Sequence, residues 1–207
     1  MGSSASTAVA LVRALYAYFE HPLTRTTLLK TVDISEKIIH GKPSGLDSAT
    51  ASANNPIWFK KDGTIKPLPI NVDAYLIISD SGIKGKTSEA VEIVKNKLRF
   101  DSDSRLLIEK LGELTSQTAT VLRQNDVSTL GKILTEAHTN LRQLGVSHPA
   151  VEKLIKIAND SGALGSKLTG GGLGGCVISL APNLPAAEKI SQQLTAGGAT
   201  ATWIEKL

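Results

Sequence analysis

Residues 167–177 read KLTGGGLGGCV and place five glycines between two segments with the character of β-strands. Gly170, Gly172 and Gly175 fit the spacing G-x-G-x-x-G, but a dinucleotide-binding turn must run from a strand into a helix. The residues that follow, CVISL, are typical of a strand, which excludes that type of site. The segment therefore predicts a glycine loop between two strands, with a backbone open to a phosphate group; a flexible hairpin loop is the alternative.

Outward from this loop, the sequence predicts an α+β fold with a domain boundary near Asn71. Short apolar segments flank Asp62-Gly63, which indicates a hairpin, and residues 74–82, AYLIISDSG, predict a buried strand. Further strands are expected at SKLT, GCVISL and ATATWIEK. Apolar periodicity predicts helices over residues 3–20, 26–39, 88–99, 102–124, 127–144, 149–160 and 186–194.

The first two helices each carry an apolar side, and we expect the wide stripe of the first helix to be buried. In the first helix it comprises Val9, Val12, Tyr16 and Phe19, with Leu11 and Leu15 beside them. In the second helix the apolar side is supplied by Leu28, Leu29, Val32, Ile38 and Ile39.

The composition is that of a folded globular protein. Of 207 residues, 41% are apolar and 20% charged, and the net charge of +4 comes from basic and acidic residues spread along the whole chain. The chain lacks both the dense Lys/Arg block of a nucleic-acid surface and an apolar run of about 20 residues, so we expect no nucleic-acid partner and no membrane. Cys176 is the only cysteine, which rules out an intramolecular disulfide and favours the reducing cytoplasm.

A second short motif, Gly85-Lys86-Thr87, matches the end of a nucleotide-binding P-loop. The complete motif also requires a glycine at the position of Asp80, so it is absent. Thr87 nevertheless stands at the start of a predicted helix directly after a buried strand, where its hydroxyl can face an anion. A plain helix N-cap is the alternative.

The chain starts with a third candidate, GSSAS at residues 2–6, at the start of the first helix. Small residues there leave the amide N–H groups open to a phosphate, and a serine hydroxyl can reach Mg²⁺.

Glu36 and Asp47 lie eleven residues apart in EKIIHGKPSGLDSA. One carboxylate can hold a metal while the other polarises a hydroxyl, as phosphoryl transfer requires. The alternative makes Glu36 a solvated helix residue and Asp47 a turn residue.

In their order and spacing, GSSAS, EKIIHGKPSGLDSA and KLTGGGLGGC resemble the GHMP kinases, the family of galactokinase, homoserine kinase, mevalonate kinase and phosphomevalonate kinase. The run E-K-x-I-H-G-x-P-S-G-x-D and LGVSHP at residues 144–149 are most similar to the mevalonate kinase branch. The resemblance covers essentially the whole chain. It implies a two-layer α+β fold, in which residues 1–70 are the remainder of the N-terminal domain and residues 71–207 form a ferredoxin-like C-terminal domain.

The resemblance also implies a reaction and a role for each site residue. The reaction is transfer of phosphate from Mg-ATP to the 5-hydroxyl of mevalonate, with Asp47 as the catalytic acid–base residue. Mg²⁺ is bound by Ser4 and Glu36, and the substrate by Ser44, Gly45 and Thr87. ATP is bound by Gly2, Ser3, Ser4, Ala5, Ser6, Gly170, Gly171, Gly172 and Leu173.

The sequence departs from the family pattern at its start, where members carry a long upstream segment with a lysine-bearing first motif. The resemblance therefore predicts the C-terminal part of a longer kinase. A first helix without its covering sheet would expose Val9, Val12 and Tyr16, which favours a homodimer or pairing with an N-terminal segment. Two alternatives are another GHMP small-molecule kinase, such as a phosphomevalonate kinase, and a non-catalytic binding or assembly module.

Overall fold

The structure is a computed structural model that describes residues 2–41 and 43–207. The chain divides into two compact units, Met1–Pro69 and Ile70–Leu207. Nowhere in the described residues is a helix both long enough and apolar enough to span a membrane.

The first unit contains three helices and a hairpin. The predicted helices and hairpin are confirmed, and Thr24 caps the second helix by accepting a hydrogen bond from the Thr27 N–H. The six-residue helix that carries Asp47 was not predicted; sequence analysis treated it as part of a turn. The elements are α1 (Ser3–Tyr18), α2 (Arg25–His40), α3 (Leu46–Ala51), β1 (Ile57–Phe59) and β2 (Ile65–Pro67).

The core of the first unit lies where α1 packs against α2 and α3. Val9 and Val12 of α1 meet Leu28 and Val32 of α2, and Tyr16 packs half-buried against them. The predicted burial of Val9 and Val12 is confirmed, and the prediction that Val9, Val12 and Tyr16 are exposed without a covering sheet is wrong. This apolar stripe is the one that the neighbouring helices cover.

The exposed apolar face of the first unit lies elsewhere on the same two helices. Leu11 and Leu15 of α1 are 58% and 47% exposed, and Ile34 and Ile38 of α2 are 61% and 81% exposed. With Ile39 they line an open groove of about 760 Å³ between α1 and α2. We call these five residues the α1/α2 apolar face. Burial was also wrongly predicted for Phe19, which caps α1 and is 62% exposed.

The second unit has a four-stranded antiparallel sheet and five helices. Its elements are β3 (Tyr75–Asp80), α4 (Thr87–Phe100), α5 (Asp103–Gln124), α6 (Val127–Gln143), α7 (Pro149–Asp160), β4 (Gly165–Thr169), β5 (Cys176–Ala181), α8 (Leu184–Ala196) and β6 (Ala201–Lys206). The strand order is β4-β5-β3-β6, with every neighbouring pair antiparallel. This is the β-α-β-β-α-β arrangement of ferredoxin-like folds, with four helices in the first crossover, and it confirms the predicted topology.

The core of the second unit forms between one face of the sheet and helices α7 and α8. The sheet contributes Ile77, Leu168 and Val177 among others, and the helices contribute apolar side chains such as Leu154 and Ile190. Helix α6 packs against the outer strand, β4. Their backbones come so close that a Cβ atom on Gly165 would lie 1.9 Å from the carbonyl oxygen of Gly131.

Candidate active site

The acidic residue Asp47 lies exposed in the first turn of α3. A Cβ atom built on Gly2 would lie 3.5 Å from Asp47 Oδ1, so the carboxylate stands beside the residue that caps the N terminus of α1. The structure thus brings together two sequence-predicted features that are 45 positions apart, GSSAS and Asp47. The open amide groups of the helix can bind a phosphate, and the carboxylate beside them can accept a proton from a neighbouring group.

Helix α3 is held in place at its C-terminal end. Arg13 of α1 donates a hydrogen bond of 2.9 Å to the Ser52 carbonyl, and Arg25 of α2 donates one of 3.4 Å to the Ala49 carbonyl. At the other end, the Leu46 N–H donates to Ser44 Oγ, and Gly45 caps the helix with φ 82°. A helix this short has little stability of its own, so these contacts position Asp47. Sequence reasoning missed both arginines because their partners are backbone carbonyls.

Glu36 is the one predicted metal ligand that is deeply buried, with 2% of its surface exposed, on α2. Ser4 is half-buried on α1, and it lines the same groove as Ser35, the neighbour of Glu36. Across residues 2–41 and 43–207, no group of three or more His, Cys, Asp or Glu side chains is arranged to hold a metal. A carboxylate and a hydroxyl still fit Mg²⁺, which keeps several waters and takes one or two carboxylates plus phosphate oxygens from a substrate.

The remaining predicted residues meet in the second unit. A Cβ atom on Gly171 would lie 2.1 Å from Thr87 Oγ1, so the start of α4 touches the glycine loop directly. Thr87 and the loop residues Gly170 to Leu173 therefore lie next to each other. This proximity is required if both are to bind the same phosphate. Thr87 is exposed, and its hydroxyl stands where a helix N terminus offers amide groups to an anion.

Two chain segments hold the glycine loop from opposite sides. On one side the Gly175 N–H donates to the Ile83 carbonyl over 2.7 Å, and Ser81 Oγ donates to the Gly175 carbonyl over 2.6 Å. On the other side the Leu173 N–H donates to the Val146 carbonyl over 2.8 Å. Leu173 adopts the left-handed φ of 55° and packs its side chain against the core. Because these contacts hold the loop on two sides, it differs from the flexible hairpin loop that sequence analysis gave as the alternative.

Ionisable groups next to the loop are perturbed by burial. Burial lowers the pKa of Lys167, whose ammonium group donates to the Leu168 carbonyl over 2.7 Å. Burial also lowers the pKa of His138, although the neighbouring Glu152 carboxylate acts in the opposite direction. The pKa of the Cys176 thiol is raised, first by burial and then by the charge of Asp80. The sequence showed no metal-ligand spacing around His138 and hence no reason to select it.

Two family models match the chain in the same order as the two units. "GHMP kinases N terminal domain" matches residues 1–55 and "GHMP kinases C terminal" matches residues 118–200. The chain belongs to the GHMP kinase family. The first model falls within the first unit of the structure and the second within the second unit. The exact domain limits at residues 70 and 71 stay a prediction.

Relatives within the GHMP kinases include several mevalonate kinases. The enzyme named mevalonate kinase in Aeropyrum pernix is 32% identical, over 87% of this chain and 56% of its own length. The one in Pyrococcus horikoshii is 30% identical, over 88% of this chain and 56% of its own length. The chain thus spans a little more than half the length of these curated relatives.

Solved structures of GHMP kinases show the same fold. The L. major mevalonate kinase in complex with R-mevalonate matches with a TM-score of 0.91 and 29% identity, over 100% of this chain and 65% of that chain. Mevalonate kinase from methicillin-resistant Staphylococcus aureus matches with a TM-score of 0.75 and 34% identity, over 99% of this chain and 66% of that chain.

Proposed function

We propose that this chain is part of a small-molecule kinase that transfers the terminal phosphate of ATP to the 5-hydroxyl of mevalonate. The observation that carries the proposal is the Asp47 carboxylate beside the N terminus of α1, with Gly2 as the point of contact. Relatives named mevalonate kinase support the choice of substrate. The single free cysteine, Cys176, supports a reducing compartment such as the cytoplasm.

Asp47 acts on the acceptor alcohol in this proposal. Its carboxylate takes the hydroxyl proton as the alcohol oxygen forms a bond to the γ-phosphorus and the bond from phosphorus to the ADP oxygen breaks. Ser44 and Gly45, which lead into α3, contact the substrate next to Asp47. Thr87 is the third substrate contact, and it orients the phosphate that is transferred.

The amide groups of two segments bind the phosphates of ATP. Gly2, Ser3, Ser4, Ala5 and Ser6 offer the open first turn of α1, where the helix dipole favours negative charge. The glycine loop, Gly170 to Leu173, offers a backbone without side chains in the way. Ser4 and Glu36 are the residues that would hold Mg²⁺, which would offset the negative charge of the phosphates.

The exposed α1/α2 apolar face indicates that this kinase binds a further polypeptide. Five large apolar side chains in one groove are more than a folded protein normally leaves in water. We propose that an N-terminal segment covers this face and supplies the rest of the site; a homodimer through the same face is the alternative.

The first experiment measures ADP release by the purified chain with Mg-ATP, with and without mevalonate. Mevalonate-dependent release supports the proposal, and a panel with phosphomevalonate and homoserine tests the substrate. If the chain alone releases no ADP, the assay is repeated with the N-terminal region of a mevalonate kinase supplied as a second chain. No mevalonate-dependent release in either form contradicts the proposal.

Asp47→Asn tests the assignment of the acid–base residue. It keeps the size of the side chain but removes the proton acceptor, so we expect kcat to fall by about 10²–10⁴-fold. The KM for ATP should change little, since the effect belongs to the transition state. Asp62→Asn on the exposed hairpin is the matched control. Equal kcat values for the two variants would show that Asp47 is not the acid–base residue.

A non-catalytic binding module is the second candidate, because the α1/α2 apolar face is open to a partner. This candidate predicts binding without turnover even when the N-terminal region is supplied. Isothermal titration with ATP and with mevalonate, run beside the ADP assay, separates the two functions.

A further inference from the structure

The outer edge of the sheet carries an unusual pair of contacts at Leu168. Strand β4 is an edge strand, and Leu168 is 2% exposed, so water cannot satisfy its backbone groups. The Leu168 N–H instead donates to His138 Nδ1 over 3.4 Å, and the Leu168 carbonyl accepts from Lys167 Nζ over 2.7 Å. The chain enters the glycine loop at Gly170, two residues further on.

His138 connects this edge to a second polar contact. His138 is 6% exposed, and its Nε2 lies 3.0 Å from Glu152 Oε1. Because Nδ1 accepts a hydrogen bond from the amide of Leu168, the ring proton must sit on Nε2, which donates to Glu152. His138 is thus held as the neutral Nε2–H tautomer.

Glu152 in turn reaches the other support of the glycine loop. Its Oε1 accepts a hydrogen bond from Ser147 Oγ over 2.6 Å. The residue before Ser147 is Val146, whose carbonyl accepts the Leu173 N–H inside the loop. One His138–Glu152 pair therefore ties together the strand that enters the loop and the turn that holds its middle.

We propose that His138 is a positioning residue that fixes the glycine loop for the phosphates of ATP, and that its protonation releases the loop. The ligand in this proposal rests on the proposed function. A protonated imidazole carries N–H on both nitrogens and cannot accept from the Leu168 amide. The buried amide then loses its partner, and the start of the loop is no longer held.

The charges around His138 determine when this happens. Glu152 on α7 favours the protonated ring, whereas Arg142 on α6 and Lys167 on β4 disfavour it. Burial acts with the two cations and lowers the pKa of His138 overall. Loop release is therefore expected on the acidic side of the ordinary histidine range.

Two amide variants separate the two contacts of the ring. Asn places an acceptor oxygen close to the position of Nδ1, and Gln places a donor nitrogen close to the position of Nε2. At pH 7.5 we expect His138→Asn to bind ATP as the wild type does, and His138→Gln to bind it about tenfold more weakly. Between pH 7.5 and 5.5 the wild type should lose affinity, and each His138 variant should lose less than its control. The controls are His21→Asn and His21→Gln at an exposed histidine; they keep His138 and share any effect of the titration of ATP itself.

A nucleotide-free measurement keeps this inference separate from the proposed function. Amide hydrogen exchange at Leu168, at pH 7.5, should be faster in His138→Gln than in His138→Asn or in either His21 variant. If wild-type protein binds no ATP, the proposed function fails, and exchange at Leu168 still decides whether His138 holds the loop. Equal exchange in all four variants, or an ATP affinity that falls with pH equally in His138→Asn and wild type, would overturn the proposal.

A milder variant tests the same network without a substitution at the buried histidine, where a change can prevent folding. Ser147→Ala removes only the hydroxyl that joins Glu152 to the Val146 turn. We expect a smaller loss of ATP affinity, about two- to threefold, with unchanged exchange at Leu168. Full affinity in this variant would show that the turn is held without Glu152 and would remove that arm of the proposal.

Discussion

Single atoms decide the contact between the glycine loop and the start of α4. A Cβ atom on Gly171 would lie 2.1 Å from Thr87 Oγ1 and 2.7 Å from Thr87 Cβ, both far inside van der Waals contact. Rotation of the Thr87 side chain moves Oγ1 but leaves Cβ in place. A residue with a side chain at position 171 must therefore push the loop and Thr87 apart.

Gly171→Ala tests this contact. We expect the KM for ATP to rise about tenfold or more, because even a displacement of about 1 Å at a phosphate site is costly. The variant should still fold, since the shift is confined to the surface. Gly112→Ala, on an exposed face of α5 with no atom within 4 Å of the added Cβ, is the matched control. An unchanged KM in Gly171→Ala would separate the loop from ATP binding.

His138 also predicts how stability depends on pH. Because its pKa is lowered in the folded protein relative to the ordinary value of 6.5, the folded state resists protonation and the unfolded state does not. Its contribution to stability is complete above pH 6.5 and is lost as the pH falls through the lowered pKa. Urea unfolding at pH 7.5 and 5.0 should show a smaller decrease for His138→Asn than for His21→Asn; equal decreases would contradict this.

Two helices in the structure show how elements depend on one another. Helix α3, with six residues, is kept in place by guanidinium groups from α1 and α2. Helix α6 meets β4 with the backbones of Gly131 and Gly165 in contact. In both cases, the position of an element is determined by residues outside it.

Two alanine substitutions, one where α6 crosses β4 and one on the open face of α5, should have opposite effects on stability. Gly165→Ala places a Cβ atom 1.9 Å from the Gly131 carbonyl oxygen and should destabilise the fold by about 1–3 kcal/mol. Gly112→Ala lies in the interior of α5 and should stabilise it by about 0.5–1 kcal/mol. Urea unfolding of both variants checks the signs. Destabilisation by Gly112→Ala would contradict the open space at that site.

At the scale of the whole molecule, the α1/α2 apolar face is a surface that the fold leaves exposed. The groove brings together side chains from two helices that pack with their other faces inward. An apolar groove of this kind favours association with another polypeptide. In a purified sample of residues 1–207, the available polypeptide is a second copy of this chain.

Ile38→Glu tests association through this face. We expect the wild type to self-associate at micromolar concentration and the charged variant to weaken that association at least about tenfold, because a buried carboxylate is costly. Analytical ultracentrifugation measures it. Phe100→Glu, at an 88% exposed apolar residue of the second unit, is the matched control. Equal weakening by both substitutions would assign the association to another surface.

Most of the helices and strands followed from the sequence alone, but α3 did not. Helices such as α5 and α7 were predicted within a residue or two because apolar periodicity and caps act within a few residues along the chain. The glycine loop between two strands was predicted for the same reason. The motifs that led to the GHMP kinases are also short and local, which is why sequence reasoning selected Asp47, Glu36 and the loop as candidates.

Only the tertiary structure decided which residues meet. Thr87 and Gly171 are far apart in the sequence, as are His138 and Leu168, and no local pattern marks either pair. The same holds for the face of α1 that is buried: two apolar stripes were available, and packing against α2 and α3 selected the one with Val9 and Val12. Periodicity is set by the backbone of one helix, whereas burial is set by its neighbours, and those are brought together only when the chain folds.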